Sequence, residues 1–343
     1  VDADGNRLHP NRVYKLLEGF HFVFSAINVQ NDSGTIKIVG ANGGKKPVII
    51  PSVNNGVAPG QNRITSSLLL SNLHIQGRND EGGRWGGYLF RLFGNDRNLF
   101  VEDCIIEFAE RGFMLQDVPR GLTMEFRNNY FRDFFVMGQQ WAGNVMDAKN
   151  VPVESFIFEN NTVTGGGVSL LLQSQFVRYA LINHNTFVNN STFVNLNPYY
   201  YEAYITNNMF YNCNVMGEDF NYISANPDGV PFGLIALDTL DVKIGTNAIP
   251  GYALNADSSA LVAPYDNIDN YKIYVSNNLH FIDSTKMNPY WKGEYNDIAD
   301  NPVSYLSWFG VQGPHDVNVP PVWMGQREMD LFTNHTGIVA ENN

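Results

Sequence analysis

Two segments of the sequence combine aromatic rings with side chains that can hydrogen-bond sugar hydroxyl groups. The first, "RNDEGGRWGGYLFRLFGNDRN" at 78–98, contains Arg84 and Trp85 among glycines, and the second contains Gln140 and Trp141. Tryptophan offers an apolar face, while arginine and glutamine supply hydrogen-bond donors. If both segments leave the fold at the same corner, these residues flank one groove and predict glycan binding. The alternative is that each tryptophan only packs its own segment against the body of the fold.

Carboxylates supply a second candidate chemistry. Glycoside hydrolysis uses two carboxyl groups about 5–9 Å apart on either side of the scissile bond. Asp147 together with Glu159 or Glu125 would form such a pair if the fold stacks these parts of the chain. This predicts a hydrolase only on that condition.

Several function classes lack support in the sequence. The seven histidines are scattered and no cysteine pair has zinc-ligand spacing, so no metal site is predicted. A phosphate-cradling glycine loop and a nucleophile elbow are also missing from the sequence. The formal net charge of −12 argues against a nucleic-acid partner. No run of 18 apolar residues occurs, so no membrane-spanning helix is predicted.

A recurring phrase indicates which elements must position these residues. Copies of it read "FRNNYF" at 126–131, "FENNTVTGGG" at 158–167, "INHNTF" at 182–187, "ITNNMF" at 205–210 and "VSNNLHF" at 275–281. Alternating apolar residues precede each asparagine, as in short β-strands that end in a tight turn. Imperfect repeats of this length are typical of a solenoid. The sequence therefore predicts an all-β fold, a right-handed parallel β-helix with an asparagine ladder and irregular terminal caps.

The repeated asparagine has an architectural interpretation. A small residue that tolerates a left-handed backbone suits a bend between strands, and its amide can bond the next amide along the axis. The predicted ladder consists of Asn72, Asp103, Asn129, Asn161, Asn185, Asn208 and Asn278. With one rung per coil, Cys104 and Cys213 lie four coils, or roughly 19 Å, apart. A disulfide requires Cα atoms within about 7 Å, so two free, buried thiols are expected.

The repeat also divides the chain. Residues 1–285 are assigned to the β-helix, within which 214–270 break the phrase and form either irregular coils or a long insertion. Residues 286–343 contain three of the five tryptophans and are assigned to a C-terminal capping segment. A cap would cover strand edges that a solenoid otherwise exposes.

The run "NVMDAKNVPVESFIFENNTVTGGGVSLLLQSQ" at 144–175 resembles the central coils of the chondroitinase-B and alginate-lyase group of polysaccharide lyases. The resemblance implies β-elimination on a uronate polymer, with Lys149 as the base and Asp147 at the acidic position. It also implies calcium as the cofactor that neutralises the uronate carboxylate. The family has an arginine where this chain has Gln173, and Gln lacks the guanidinium charge, so Arg178 or Arg84 would have to replace it. The opening "GTIKIVGANGGKKPVI" is similar to secreted β-helix proteins of the Bacteroidota type.

These observations favour a non-catalytic β-helix protein that binds glycans or assembles with itself. The loss of the arginine position and the aromatic, asparagine-rich surface support this choice. The alternatives are the polysaccharide lyase and then the glycoside hydrolase. The expected location is extracellular or at the cell surface, the expected partner is a polysaccharide or a second copy of the chain, and no cofactor is expected outside the lyase interpretation.

Overall fold

The structure is a computed structural model of the 343-residue chain. It describes residues 2–4, 6–9, 12–29, 34–52, 62–79, 85, 87–94, 97–116, 122–134, 143–148, 153–167, 169–172, 176–190, 199–213, 263–265, 267–283, 285 and 326–343. Strands in this part of the chain form three parallel sheets that wind around one core. This confirms the predicted parallel β-helix.

With strands numbered in chain order, β1 to β18 contribute one strand to each of the three sheets in turn, and β19 to β24 alternate between the first two sheets. The ten-stranded sheet contains β1 (Val13–Leu16), β4 (Thr35–Gly40), β7 (Ser67–Ser71), β10 (Asn98–Glu102), β13 (Thr123–Arg127), β16 (Val153–Glu159), β19 (Phe176–Asn183), β21 (Tyr199–Thr206), β23 (Lys272–Ser276) and β25 (Ile338–Glu341). The nine-stranded sheet contains β2 (His21–Phe24), β5 (Val48–Pro51), β8 (His74–Gln76), β11 (Ile105–Glu107), β14 (Tyr130–Phe134), β17 (Thr162–Gly166), β20 (Thr186–Val188), β22 (Met209–Tyr211) and β24 (Leu279–Phe281).

The third sheet has six strands, which are β3 (Asn28–Val29), β6 (Asn62–Ile64), β9 (Tyr88–Phe93), β12 (Arg111–Gln116), β15 (Met146–Asp147) and β18 (Leu170–Leu171). Two helical elements are described outside the sheets, a 3₁₀ turn at Ile268–Asn270 and the helix α1 at Gln326–Asn334.

The core follows from the alternation of side chains along each strand. The apolar pairs that precede the asparagine turn point inward and are fully buried, as in Phe156 and Phe158. Aromatic rings then stack from coil to coil, with Phe187 and Phe210 having centroids 5.1 Å apart and an interplanar angle of 5°. Neighbouring coils therefore bury one continuous core, and each coil depends on those beside it.

The asparagine ladder is present at the corner between the ten-stranded and nine-stranded sheets. Its rungs are Asn129, Asn161, Asn185, Asn208, Asn278 and Asn343. In each step the backbone N–H and the side-chain amide of one rung donate to Oδ1 of the next, for Asn161 and Asn185 at 2.8 and 3.2 Å. The amide also donates to a strand carbonyl of the preceding coil, for Asn185 to Phe158 at 2.6 Å. Every polar atom of a buried rung thus has a partner.

Two residues were wrongly assigned to the ladder. Asn72 and Asp103 have φ angles of 53° and 50° and occupy the left-handed residue of the bend, one position before the rung. Both contact the Nζ of Lys46, at 2.8 Å from Asn72 Oδ1 and 2.9 Å from Asp103 Oδ1. The inward positions of these coils are filled by Leu73 and Cys104, which are buried. In these two coils only the left-handed position is polar, because the inward position holds Leu73 or Cys104. An alignment by residue type therefore assigns Asn72 and Asp103 to the rung, one position away from where they lie.

The two long connections lie between directly paired strands. β21 pairs with β23 and β22 pairs with β24, so the coils that contain Asn208 and Asn278 stack directly on each other. Residues 214–262 lie outside the described residues, and the choice between irregular coils and a long insertion stays a prediction. In the described part of the predicted cap, residues 326–343, β25 pairs with β23 and Phe332 of α1 packs against the core.

Both cysteines are free and buried, as predicted. Cys104 occupies the rung position one coil before Asn129, and its backbone N–H donates to Asn129 Oδ1 at 2.9 Å. Cys213 lies at the other corner of the nine-stranded sheet, where Asn190 is the neighbouring inward residue. Burial raises the pKa of each thiol to about 12.

Candidate functional site

The outer face of the ten-stranded sheet carries three parallel rows of side chains. Strand register defines a central row of Leu69, Phe100, Glu125, Ile157, Leu181, Tyr204, Tyr274 and Val339. The amino-side row contains Asn98, Thr123, Ser155, Tyr179, Glu202 and Lys272, and the carboxy-side row contains Ser71, Glu102, Arg127, Glu159, Asn183, Thr206, Ser276 and Glu341. All members of the central row are partly exposed. A mainly apolar strip is thus flanked by hydroxyl, amide and carboxylate groups.

Tyrosines dominate the end of this face nearest β25. Tyr204 and Tyr274 stack with centroids 5.3 Å apart and an interplanar angle of 7°. Tyr179 approaches Tyr204 from the neighbouring strand β19, with centroids 6.2 Å apart and a tilt of 51°. One face of Tyr204 is therefore covered by Tyr274, whereas a wedge separates the other face from Tyr179.

Glu202 lies beside this wedge. It is the register partner of Tyr179, and its Oε1 accepts the hydroxyl hydrogen bond of Tyr204 at 3.0 Å. Burial, followed by the charge of Glu202, raises the pKa of Tyr179 above its ordinary value. Burial and the hydrogen bond to Glu202 raise the pKa of Tyr204 in the same direction. Both phenols thus remain protonated donors at neutral pH.

Farther along the face, one arginine holds two carboxylates. The Nε of Arg127 lies 3.3 Å from Glu125 Oε2, and its Nη1 donates to Glu159 Oε2. Glu125 and Glu159 were each considered as a partner of Asp147 for hydrolysis, and the structure instead places them beside each other around Arg127. A glycosidase needs space between its two carboxyl groups for the scissile bond. In this structure the Arg127 guanidinium occupies the space between Glu125 and Glu159.

Asp147 lies on a different sheet from these carboxylates. It projects from β15 of the six-stranded sheet, is 4% exposed, and its Oδ2 accepts a hydrogen bond from the Tyr88 hydroxyl at 2.5 Å. Arg111 donates to the same hydroxyl at 3.1 Å. Burial and then the charge of Asp147 raise the pKa of Tyr88 above its ordinary value. The structure does not pair Asp147 with Glu125 or Glu159.

Of the candidate catalytic residues, the two that are described, Asp147 and Arg178, lie on different sheets. Arg178 projects from β19 of the ten-stranded sheet and pairs with Glu154 on β16, while Asp147 belongs to the six-stranded sheet. Lys149 lies outside the described residues. The contacts of Asp147 and Arg178 therefore supply no joint site for β-elimination.

The predicted glycan-binding residues have a mixed outcome. β8 and β14 of the nine-stranded sheet are each followed along the chain by a strand of the six-stranded sheet, so the described ends of both connections lie at the corner between these two sheets. Trp85 is only 2% exposed and belongs to the core cluster, so its ring offers no face to a ligand. Arg84, Gln140 and Trp141 lie outside the described residues. For Trp85, packing against the body of the fold is the correct alternative.

The apolar pattern of the inward residues does not reveal the tyrosine face. In "VRYALIN", "YEAYITN" and "KIYVSNN", the outward positions between the buried residues hold Tyr179, Tyr204 and Tyr274. Continuing the same alternation to the outward positions would have found them.

Within the described ranges, no cluster of three or more His, Cys, Asp or Glu side chains could bind a metal ion. The described helices include none with the length and apolar character needed to span a bilayer. No protein-family model, no curated protein and no solved structure matches this chain.

Proposed function

We propose that this protein binds a linear polysaccharide along the outer face of its ten-stranded sheet, without transforming it, in an extracellular or cell-surface setting. The observation that carries the proposal is the row of partly exposed apolar and aromatic side chains between two polar rows. Sugars have the matching character, since apolar C–H groups on the ring faces are bordered by hydroxyl groups. Parallel sheets usually have both faces covered, and a contiguous apolar strip open to solvent is typical of a binding surface.

The dimensions of the face support a polymer. Its central row crosses eight strands from Leu69 to Val339, which at about 4.8 Å per strand is roughly 34 Å along the axis. Each of the six strands β10, β13, β16, β19, β21 and β23 contributes one residue to each row, so equivalent contacts repeat at a spacing similar to that of sugar units in an extended chain. A polymer can then gain affinity from many weak contacts.

The non-catalytic form is preferred because the candidate reactive groups are dispersed. Asp147 is engaged by Tyr88, Arg178 by Glu154, and the Glu125–Glu159 pair by Arg127. General acid–base catalysis needs the base within hydrogen-bond reach of the proton it removes, beside its partners. Asp147 is held in a buried position on the six-stranded sheet, whereas the other groups lie on the ten-stranded sheet.

Binding is tested by co-sedimentation with a panel of insoluble polysaccharides, followed by calorimetry with soluble fragments of any that bind. The double variant Tyr204→Ala/Tyr274→Ala should lose binding and keep the native circular dichroism spectrum. Tyr211→Ala is the matched control, because Tyr211 stacks on Phe281 at 5.6 Å on the outer face of the nine-stranded sheet. Loss of binding in both variants, or no binding to any glycan, would overturn the proposal.

The lyase alternative has its own readout. Incubation with alginate, chondroitin and pectate is followed by absorbance of the unsaturated product, and the proposal expects no signal. A signal that Lys149→Ala abolishes would replace the binding function with β-elimination.

A further inference from the structure

We infer that the wedge formed by Tyr179, Glu202 and Tyr204 binds a cationic amino group, so that the polysaccharide carries amino sugars. This inference rests on the proposed function, since it names the chemical class of the glycan that occupies the same face. Its basis is the arrangement of two aromatic rings and one carboxylate around a common space.

The two rings are placed so that an ammonium group can contact both. The ring centroids of Tyr179 and Tyr204 are 6.2 Å apart, and the two ring planes are inclined by 51°. The rings of Tyr204 and Tyr274, by contrast, stack almost in parallel, with an interplanar angle of 7°. The order of strands β19, β21 and β23 places Tyr179 and Tyr274 on opposite sides of Tyr204. The side of Tyr204 that Tyr274 leaves uncovered is directed at β19, where Leu181 is its register partner and Tyr179 lies diagonally beside it. Cations within about 6 Å of a ring centroid are attracted by the quadrupole of the ring.

Glu202 supplies the negative charge at this wedge. Its carboxylate accepts the Tyr204 hydroxyl hydrogen bond, and Glu202 lies directly opposite Tyr179 in the strand pairing. Its charge acts on both phenols, because it raises the pKa of Tyr179 and of Tyr204. An ammonium group between the rings would thus meet two aromatic faces and a carboxylate, as in aromatic cages for amines.

The basic side chains near the wedge do not occupy the position that we assign to the ammonium group of the ligand. The Arg127 guanidinium lowers the pKa of Tyr179 through its charge, but it is bound by Glu125 and Glu159, and Arg178 is bound by Glu154. Lys272 is the register partner of Glu202 on β23, but it is exposed and forms no ion pair with Glu202 within the described structure. Across the three rows from β7 to β25, the carboxylates Glu102, Glu125, Glu159, Glu202 and Glu341 outnumber the basic residues Arg127 and Lys272, whereas Lys37 on β4 continues the central row beyond Leu69. The end of the face that holds the wedge is therefore complementary to a cationic polymer and repels a polyuronate.

The test uses two oligosaccharides with the same backbone and length, one of glucosamine and one of N-acetylglucosamine. Acetylation removes the positive charge and leaves the sugar rings unchanged. We expect calorimetry to give tighter binding of the glucosamine oligomer, with a preference that decreases as salt rises. Glu202→Gln should reduce binding of this oligomer about three- to fivefold, as for a partly exposed charge pair, and leave the acetylated oligomer unaffected.

Glu154→Gln is the control, because it removes a carboxylate from the same sheet that Arg178 holds away from the wedge. Equal binding of the two oligomers, still lost in Tyr204→Ala/Tyr274→Ala, would overturn the inference and leave the proposed function standing. Tighter binding of an oligouronate would also overturn the inference. Failure of every glycan to bind would overturn both.

Discussion

Asn190 donates a side-chain hydrogen bond to the sulfur of Cys213 at 3.6 Å. Cys213 in turn donates through Sγ to the carbonyl of Phe187 at 3.4 Å, three residues before Asn190. The asparagine ladder at the other corner repeats this pattern, since Asn208 accepts from Asn185 and donates to Ile182, three residues before Asn185. Cys213 therefore acts as a rung in which a thiol replaces the amide.

A thiol is a weaker donor and acceptor than an amide, which leads to the first prediction. Cys213→Asn should retain or increase the free energy of unfolding, because the amide can make the same two bonds more strongly. Cys213→Val keeps the volume similar but leaves the Asn190 amide and the Phe187 carbonyl without this partner, and should cost about 1 kcal/mol or more. Urea unfolding followed by circular dichroism measures both. Equal stability of the two variants would contradict the rung assignment.

The second prediction concerns the amide ladder itself. Asn185→Ala removes the acceptor of the Asn161 backbone and side-chain N–H groups and the donor to the Phe158 carbonyl. Each unsatisfied buried group costs about 1–3 kcal/mol, so the variant should lose about 2–4 kcal/mol of stability. The control is Thr186→Ala, the next residue, which lies on the outer side of β20 and is partly exposed. A loss of equal size in the control would argue against the ladder as the cause.

The ladder also illustrates how far the sequence predicts the fold. The repeated phrase predicts Asn129, Asn161, Asn185, Asn208 and Asn278 as rungs, because a polar residue at the bend is followed there by an asparagine at the inward position. The phrase does not place Asn72 and Asp103 correctly, because a single polar residue is compatible with either the left-handed position of the bend or the inward rung. The strand pairing shows that both residues occupy the left-handed position. Asn343 was missed although "IVAENN" has the right form, since that part of the chain was assigned to a cap.

The candidate site was less predictable for a different physical reason. Inward rows are constrained by packing and therefore show a strong apolar pattern, whereas outward rows are free to vary and give a weak signal. Trp85 has the residue type of a sugar-stacking group but is buried against the core. Whether an aromatic residue in an irregular segment faces solvent depends on the packing of that segment, which residue type alone does not specify.

The third prediction is that both thiols are inert in the folded protein. Cys104 and Cys213 are about 1% and 0% exposed, and burial raises each pKa from 9.0 to about 12. A thiol-specific chromogenic reagent should not react at pH 8 without denaturant and should titrate two thiols per chain in denaturant. Rapid labelling of either cysteine in the native state would contradict the buried position.

The raised pKa values of the two thiols also make the free energy of unfolding depend on pH in the alkaline range. The pKa is higher in the folded than in the unfolded state, so the stability that the neutral thiols contribute is fully present below about pH 9. It is then lost as the pH rises from 9 towards 12. The double variant Cys104→Ala/Cys213→Ala should be less stable at pH 8 but should lose less stability between pH 8 and 10.5, as measured by the urea midpoint. A slope identical to that of the parent chain would contradict this assignment.

The fourth prediction treats the Tyr88–Asp147 hydrogen bond as a structural contact. Tyr88→Phe removes the donor to Asp147 and the acceptor of Arg111 and should cost about 1.5–3 kcal/mol, as for a hydrogen bond to a charged group. Because the pKa of Tyr88 is raised above 10.0, its contribution is present below that pH and is lost above it. The stability difference between parent and variant should therefore narrow at high pH. Tyr204→Phe is the control, because its hydroxyl group meets Glu202 at a more exposed site and should cost less than about 1 kcal/mol. An equal or larger loss of stability in Tyr204→Phe would contradict a larger stabilisation by the buried Tyr88–Asp147 hydrogen bond.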